Sequence, residues 1–199
     1  MVRLGEWLFR HRTVTPIPLA LALLGINIGA APPSVVLTLS GVGLVILGEA
    51  VRLWGVRHIG VISRTRSDRL GPLVVSGPFA LVRNPLYLAN VALWVGFALT
   101  ARLVWLAPVV GVVLGFEYHA IVRWEEQRLD AQLGAPYRAY LGRVPRWLPK
   151  LGSPATEGAT ALHSWREMLF SERGTLMAIA VGYLLLWLKF TLSSLQRLP

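Results

Sequence analysis

"GPFALVRNPLYLANVALWVGFALTA", residues 77 to 101, joins two unlike halves. Gly77-Pro78 marks a turn. Asn84-Pro85 then marks a helix start, with Asn as N-cap and Pro at the first helical position. From Pro85 onward no charged residue occurs before Arg102. Such a run approaches the about 20 apolar residues that cross a bilayer core.

Similar runs lie on both sides of it. "VTPIPLALALLGINIGAA" (14 to 31), "VVLTLSGVGLVILGEAV" (35 to 51), "LVWLAPVVGVVLGFEYHAIV" (103 to 122) and "GTLMAIAVGYLLLWLKFTL" (174 to 192) are further candidate spans. The expectation is an all-α integral membrane protein with about five transmembrane helices. Composition agrees: 54% of the 199 residues are hydrophobic and 15% charged, mean hydropathy is +0.55, and an average soluble domain has about 25% charged residues. The first run is read as a retained span, because Pro16 and Pro18 interrupt its start and no small-residue cleavage site ends it. With no cysteine, thiol nucleophiles and zinc-thiolate sites are excluded. The four histidines are scattered, and no metal is expected.

Basic residues set the expected orientation. Arg3, Arg10 and Arg12 precede the first span, whereas "APPS" after it is uncharged. Arg52, Arg57, Arg64, Arg66, Arg69 and Arg83 follow the second, and Arg123, Arg128, Arg138, Arg143, Arg146 and Lys150 follow the fourth. These segments and the N-terminus are expected in the cytoplasm, with Pro199 outside. Net charge is +10, and an anionic leaflet attracts each Lys or Arg by about 1 kcal/mol, so lipid contact explains much of it. No nucleic-acid motif accompanies the charge.

Neither cytoplasmic segment is an ordinary short loop. Residues from about Val56 to Asn84 contain "GPLVVSGPF", with turns at Gly71-Pro72 and Gly77-Pro78. "RWEEQRLDAQLGAPYRAYLGRVPRWLP", from Arg123 to Pro149, continues the fourth span, breaks near Gly134 to Pro136, and carries Trp124, Tyr137, Tyr140 and Trp147, which suit the headgroup level.

These two blocks together resemble the C-terminal signature of the isoprenylcysteine carboxyl methyltransferase and phospholipid methyltransferase superfamily. Its pattern is roughly G-P-Y/F-x-x-V/I-R-H/N-P-x-Y-L-G, a glutamate pair, F-G-x-x-Y-x-x-Y and V-P-R-F/W-x-P. "GEAVRLWGVRHIG" upstream is similar to a further family segment. The likeness covers residues 48 to 149, read as a methyltransferase core between an N-terminal transmembrane region (1 to 47) and a tail (150 to 199). It implies a membrane-embedded methyltransferase that takes S-adenosylmethionine without a Rossmann domain, on a cytoplasmic face formed by the two segments. "GVG" at 41 to 43 agrees, since it lies inside an apolar span, where small residues serve helix contact.

Carried onto this chain, the resemblance assigns cofactor binding to Gly77, Pro78, Arg83, Asn84, Pro85, Tyr87, Leu88, Glu126 and Tyr137. Asn84-Pro85 could be a cap alone, or could also offer the N–H groups of a helix start to a carboxylate. Histidine is usual in the family where Asn84 stands, and Ala89 and Leu133 are further departures. Tyr87, three residues beyond Asn84, shares its side of the helix.

Glu125, Glu126, Arg128 and Glu117 are the catalytic candidates. Glu125 and Glu126 point about 100° apart on a helix, so their tasks differ. One is expected to receive the cofactor's ammonium or ribose, and the other to order arginines. Pairing with Arg128 and Arg123 at i,i+3 is the local alternative. Glu117, at membrane depth, could line an acceptor cavity or be structurally paired. Arg143, Arg146 and Arg52 are candidates for an acidic substrate, with Arg52 also able to pair with Glu49 and reach the interface.

The expected reaction is direct methyl displacement by a lipophilic acceptor from the bilayer, either a prenylcysteine-like carboxylate or a phospholipid amine. An amine needs a base, whereas a carboxylate needs only positioning. Two other classes remain open. Membrane sterol reductases that use NADPH end in a similar block, and a silent lipid-binding scaffold would also fit the Asn84 departure. In the tail, "LGSPATEGATA" reads as a linker and "LHSWREMLF" as a short interfacial helix before the fifth span.

Overall fold

A computed structural model of the chain describes residues 1–60, 73–150 and 162–195. Within them the backbone forms α1 (Val2–His11), α2 (Ile17–Gly25), α3 (Val35–Ile59), α4 (Pro78–Leu81), α5 (Pro85–Thr100), α6 (Leu106–Leu133), α7 (Ala135–Arg143) and α8 (Trp165–Leu195). No strand occurs among the described residues. The expected linker "LGSPATEGATA" and Arg64, Arg66 and Arg69 lie outside them.

The protein is an all-α, multi-pass integral membrane protein. Helices α3, α6 and α8 are long and apolar enough to cross a bilayer. Their 25, 28 and 31 residues extend about 37, 42 and 46 Å at the helical rise. Large apolar side chains such as Val35, Leu39, Ile46, Val112, Phe116 and Trp187 stand exposed on them, as lipid-facing surfaces require. With 16 residues, α5 extends about 24 Å, less than the hydrocarbon core of about 30 Å.

The first expected span differs from a regular helix. Only Ile17–Gly25 is helical, because Pro18 suits only the first turn and the chain turns extended at Ile26. The run nevertheless extends from the middle of α6 to the turn that precedes it. Thr15 donates to Glu117 at one end (2.6 Å), and the Ala31 N–H reaches the Arg102 carbonyl at the other (2.8 Å).

Ends of the long helices follow local rules. Ser34 caps α3 by accepting from the Leu37 N–H (3.3 Å). Between α5 and α6, Leu103 N–H bonds to Ala98 and Arg102 N–H to Leu99, a Schellman closure with Arg102 at φ 63°. Its guanidinium lies over the Phe190 ring, 4.4 Å from the centroid. A capping box starts α8: Ser164 Oγ accepts from the Glu167 N–H and the Glu167 carboxylate from the Ser164 N–H, both at 3.2 Å. The expected interfacial helix and fifth span are therefore one continuous helix.

In lipid the apolar effect does not drive helix association, so close packing and polar contacts must. The α3–α5 seam uses packing. Gly41, Val45, Gly48 and Arg52 of α3 and Ala89, Leu93, Gly96 and Thr100 of α5 are buried. A Cβ on Gly96 would stand 2.6 Å from the Gly41 carbonyl oxygen. Helix α6 closes the core beside them with Leu106, Val110, Leu114, Tyr118 and Ile121.

Candidate active site

At the polar end of α5 the chain is lashed to the segment after α7. Gly77 takes φ 59°, in a space that His58 closes to any side chain, and buried Pro78 opens α4. The Arg83 N–H then bonds to the Pro145 carbonyl, and the Lys150 N–H to the Leu81 carbonyl, both at 2.9 Å. Asn84 occupies the N-cap position but makes no side-chain cap bond. Its amide instead donates to the Arg146 carbonyl (3.1 Å). Leu88 N–H bonds to the Asn84 carbonyl and continues the helix from Pro85.

That lashing brings two arginines onto one carboxylate. Arg83 donates to Glu126 Oε1 (2.8 Å), and Arg146 grips both oxygens, at 3.0 and 2.6 Å. Each bond is charge-assisted and Arg146 binds as a fork. The bond to Glu126 raises the Arg146 pKa above its ordinary value.

Adjacent Glu125 has a different partner. Tyr87 of α5 donates to its Oε2 (3.0 Å) and stacks on Tyr118 of α6, with centroids 4.8 Å apart and planes at 26°. Asn90, three residues beyond Tyr87 on α5 and so on the same side of it, accepts from Arg52 Nη1. Arg52 Nη2 donates to Glu172 (2.8 Å) and Thr175 (3.0 Å) of α8. Arg52 Nε lies 3.5 Å from Glu49. Glu125 is thus held by Tyr87 of α5, and the next turn of the same helix is tied at Asn90 through Arg52 of α3 to α8.

Several expected residues fall elsewhere. Arg52 is 6% exposed and enclosed by these partners, with Glu49 at i,i+3 among them as expected. Arg143 folds back on the Ala139 carbonyl of its own helix and is exposed (3.3 Å), so it does not accompany Arg146. The Arg128 guanidinium lies over the Trp124 ring, 5.1 Å from its centroid. Glu117 is buried and accepts from Thr15. Tyr137 and Tyr140 are buried within the protein, at 3% and 5% exposure. Tyr140 donates to the Phe79 carbonyl (2.8 Å). Burial, with Glu126 second, pushes the Tyr137 hydroxyl pKa up, and burial does the same for Tyr140.

Sequence reading missed Asn90, Tyr118, Thr15 and Glu172. An amide inside the apolar helix α5 was the available signal for Asn90, as a carboxylate beside an apolar run was for Glu172. Among the described residues no group of three or more His, Asp or Glu side chains is placed to hold a metal ion.

The model of the phospholipid methyltransferase family matches residues 36–135, which include α3, α5 and α6. The chain is similar to the cobalt-zinc-cadmium resistance protein CzcN of Cupriavidus metallidurans. They are 27% identical over 165 residues, 81% of this chain and 70% of the relative. It is also similar to the nickel-cobalt-cadmium resistance protein NccN of Alcaligenes xylosoxydans xylosoxydans, again at 27%, over 56% of this chain and 49% of that protein. No solved structure matches the chain significantly.

Proposed function

Because the chain belongs to the phospholipid methyltransferase family, we propose that it methylates an amine-bearing lipid headgroup, using S-adenosylmethionine, at the cytoplasmic membrane surface. When bound, that cofactor supplies an electrophilic methyl group on a sulfonium. The donor set fits it. Glu125 offers a carboxylate to a cationic centre, and the Tyr87 and Tyr118 rings offer π faces. The first turn of α5, uncapped by Asn84, offers N–H groups to a carboxylate. Gly77, Pro78, Arg83, Asn84, Pro85, Tyr87 and Leu88 build that edge.

The observation that carries the reading is the unlike partnering of two adjacent glutamates. Glu126 orders Arg83 and Arg146, whereas Glu125 meets a neutral hydroxyl. A protonated amine must lose its proton before it attacks, and Glu125 is the carboxylate available to take it. Three arginines that could receive a carboxylate acceptor are engaged, Arg83 and Arg146 by Glu126 and Arg52 by Glu172, and the charge of Arg12 falls on Glu125 itself. The arginine-rich flanks favour a cytoplasmic site by the positive-inside rule.

Thermal unfolding of the detergent-purified chain tests this, since a ligand of the folded state raises Tm. S-adenosylhomocysteine should raise it, Glu125→Gln should reduce the rise, and NADPH should have no effect. Stabilisation by NADPH alone, or by neither ligand, would overturn the proposal. We place the activity in the setting that the relatives' names give, heavy-metal resistance. Normal growth of a disruption strain under cadmium would remove that setting without touching the chemistry.

A further inference from the structure

Helix α8 lies outside the residues that the family model matches, and most of it is exposed apolar surface. A helix of that kind needs no buried charge to remain in a bilayer. Its Glu172 is nevertheless completely buried. A charge at such depth is costly and is retained where it faces a specific partner. That partner is Arg52.

The guanidinium is a planar fork, so fixing one arm fixes the other. Glu172 and Thr175 hold Nη2, which aims Nη1 at Asn90 Oδ1. Asn90 lies three residues beyond Tyr87 on α5, so the bond from Arg52 ties the turn of α5 that carries Tyr87. Tyr118 stacks on Tyr87, and Tyr87 holds Glu125. Without Glu172, the fork is free to turn toward Glu49, one helical turn away. Asn90 then loses the donor that sets its orientation.

We infer that Glu172 of α8 is a positioning residue for the site, acting through Arg52 and Asn90 on the turn of α5 that carries Tyr87, which holds Glu125. The inference deepens the proposed function and rests on it for the identity of the ligand, but not for the mechanical coupling.

Two measurements on the full chain in detergent separate the two. Amide hydrogen exchange without ligand reports the coupling. In Glu172→Gln, peptides covering residues 84–93 of α5 should exchange faster. Lys189→Met frees the opposite end of α8, where Lys189 bonds the Leu23 and Ile26 carbonyls. It should leave those α5 peptides unchanged. Faster exchange confined to α3 and α8, or an equal response to Lys189→Met, would overturn the inference, because α8 would then act as an anchor alone.

S-adenosylhomocysteine affinity reports the consequence. Glu172→Gln should weaken it about tenfold, Glu172→Asp should recover most of the loss, and Glu172→Gln with Asn90→Leu should lose no more than the worse single variant. Wild-type affinity in Glu172→Gln, or additive losses, would overturn the inference. If Glu172→Gln fails to fold, Thr175→Val gives the same readouts in milder form. If wild type binds no S-adenosylhomocysteine, the proposed function falls and the exchange experiment alone decides the coupling.

Discussion

The α3–α5 seam and the α3–α8 contact hold the same helix by opposite means. Along the seam, backbones meet over glycines, and a Cβ on Gly41 would stand 2.6 Å from the Gly96 carbonyl oxygen. At α8 the contacts are few and mostly polar: Arg52 with Glu172 and Thr175, and the Arg57 guanidinium over Trp165, 4.1 Å from its centroid. Helix α8 also reaches α2 through Lys189. The seam fixes distance, since many short contacts admit one separation. The α8 contact fixes orientation, since a planar cation held by few groups transmits direction more than position.

Arg52→Ala attacks the polar contact most directly. It leaves Glu172 and Glu49 buried without their shared cation and should cost about 3 to 5 kcal/mol, the range for breaking a buried pair. Loss of folded, monodisperse protein in detergent, or a large fall in Tm, is the expected result. Survival with an unchanged Tm would mean that packing alone holds α8.

Gly96→Val attacks the seam. Its Cβ would meet the Gly41 carbonyl and Val45, and overpacking of this kind costs about 1 to 3 kcal/mol. Chemical denaturation should show the loss, together with weakened S-adenosylhomocysteine binding, because α5 carries Tyr87. Lys189→Met should be milder, about 1 kcal/mol or less, as expected of a cation removed from a helix C-terminus. It should leave ligand affinity intact. Smallest of all, Glu6→Gln breaks only the exposed pair with Arg10 (2.6 Å), and neither Tm nor affinity should move measurably.

Legibility followed sequence distance. Apolar runs announced the spans, and Asn84-Pro85 announced the start of α5, because those signals are local. Glu126, Arg83 and Arg146 were each singled out, but not as partners of one another. Arg83 and Arg146 lie 43 and 20 residues from Glu126, whereas the i,i+3 rule offers Arg123. Asn84 was placed as an N-cap, a position it keeps, while its amide bonds to a segment brought near only by the tertiary fold. The interrupted first span was harder. Its prolines were visible, but only tertiary contacts show how a nine-residue helix and its flanks reach from Glu117 of α6 to Arg102 in the turn before it. Ser164 and Glu167 spelled a capping box, yet nothing nearby showed that the helix they start continues into the last span.

The salt bridge between Arg52 and Glu172 joins residues 120 positions apart, so it has a history during synthesis. While the ribosome is still making the second half of the chain, Arg52 exists and Glu172 does not. Glu49, three residues before it on the same helix, can counter its charge throughout that interval. The local pair persists in the folded chain, 3.5 Å apart, so completion of α8 adds a second counter-ion rather than replacing the first, and only then can Glu172 and Thr175 aim the fork.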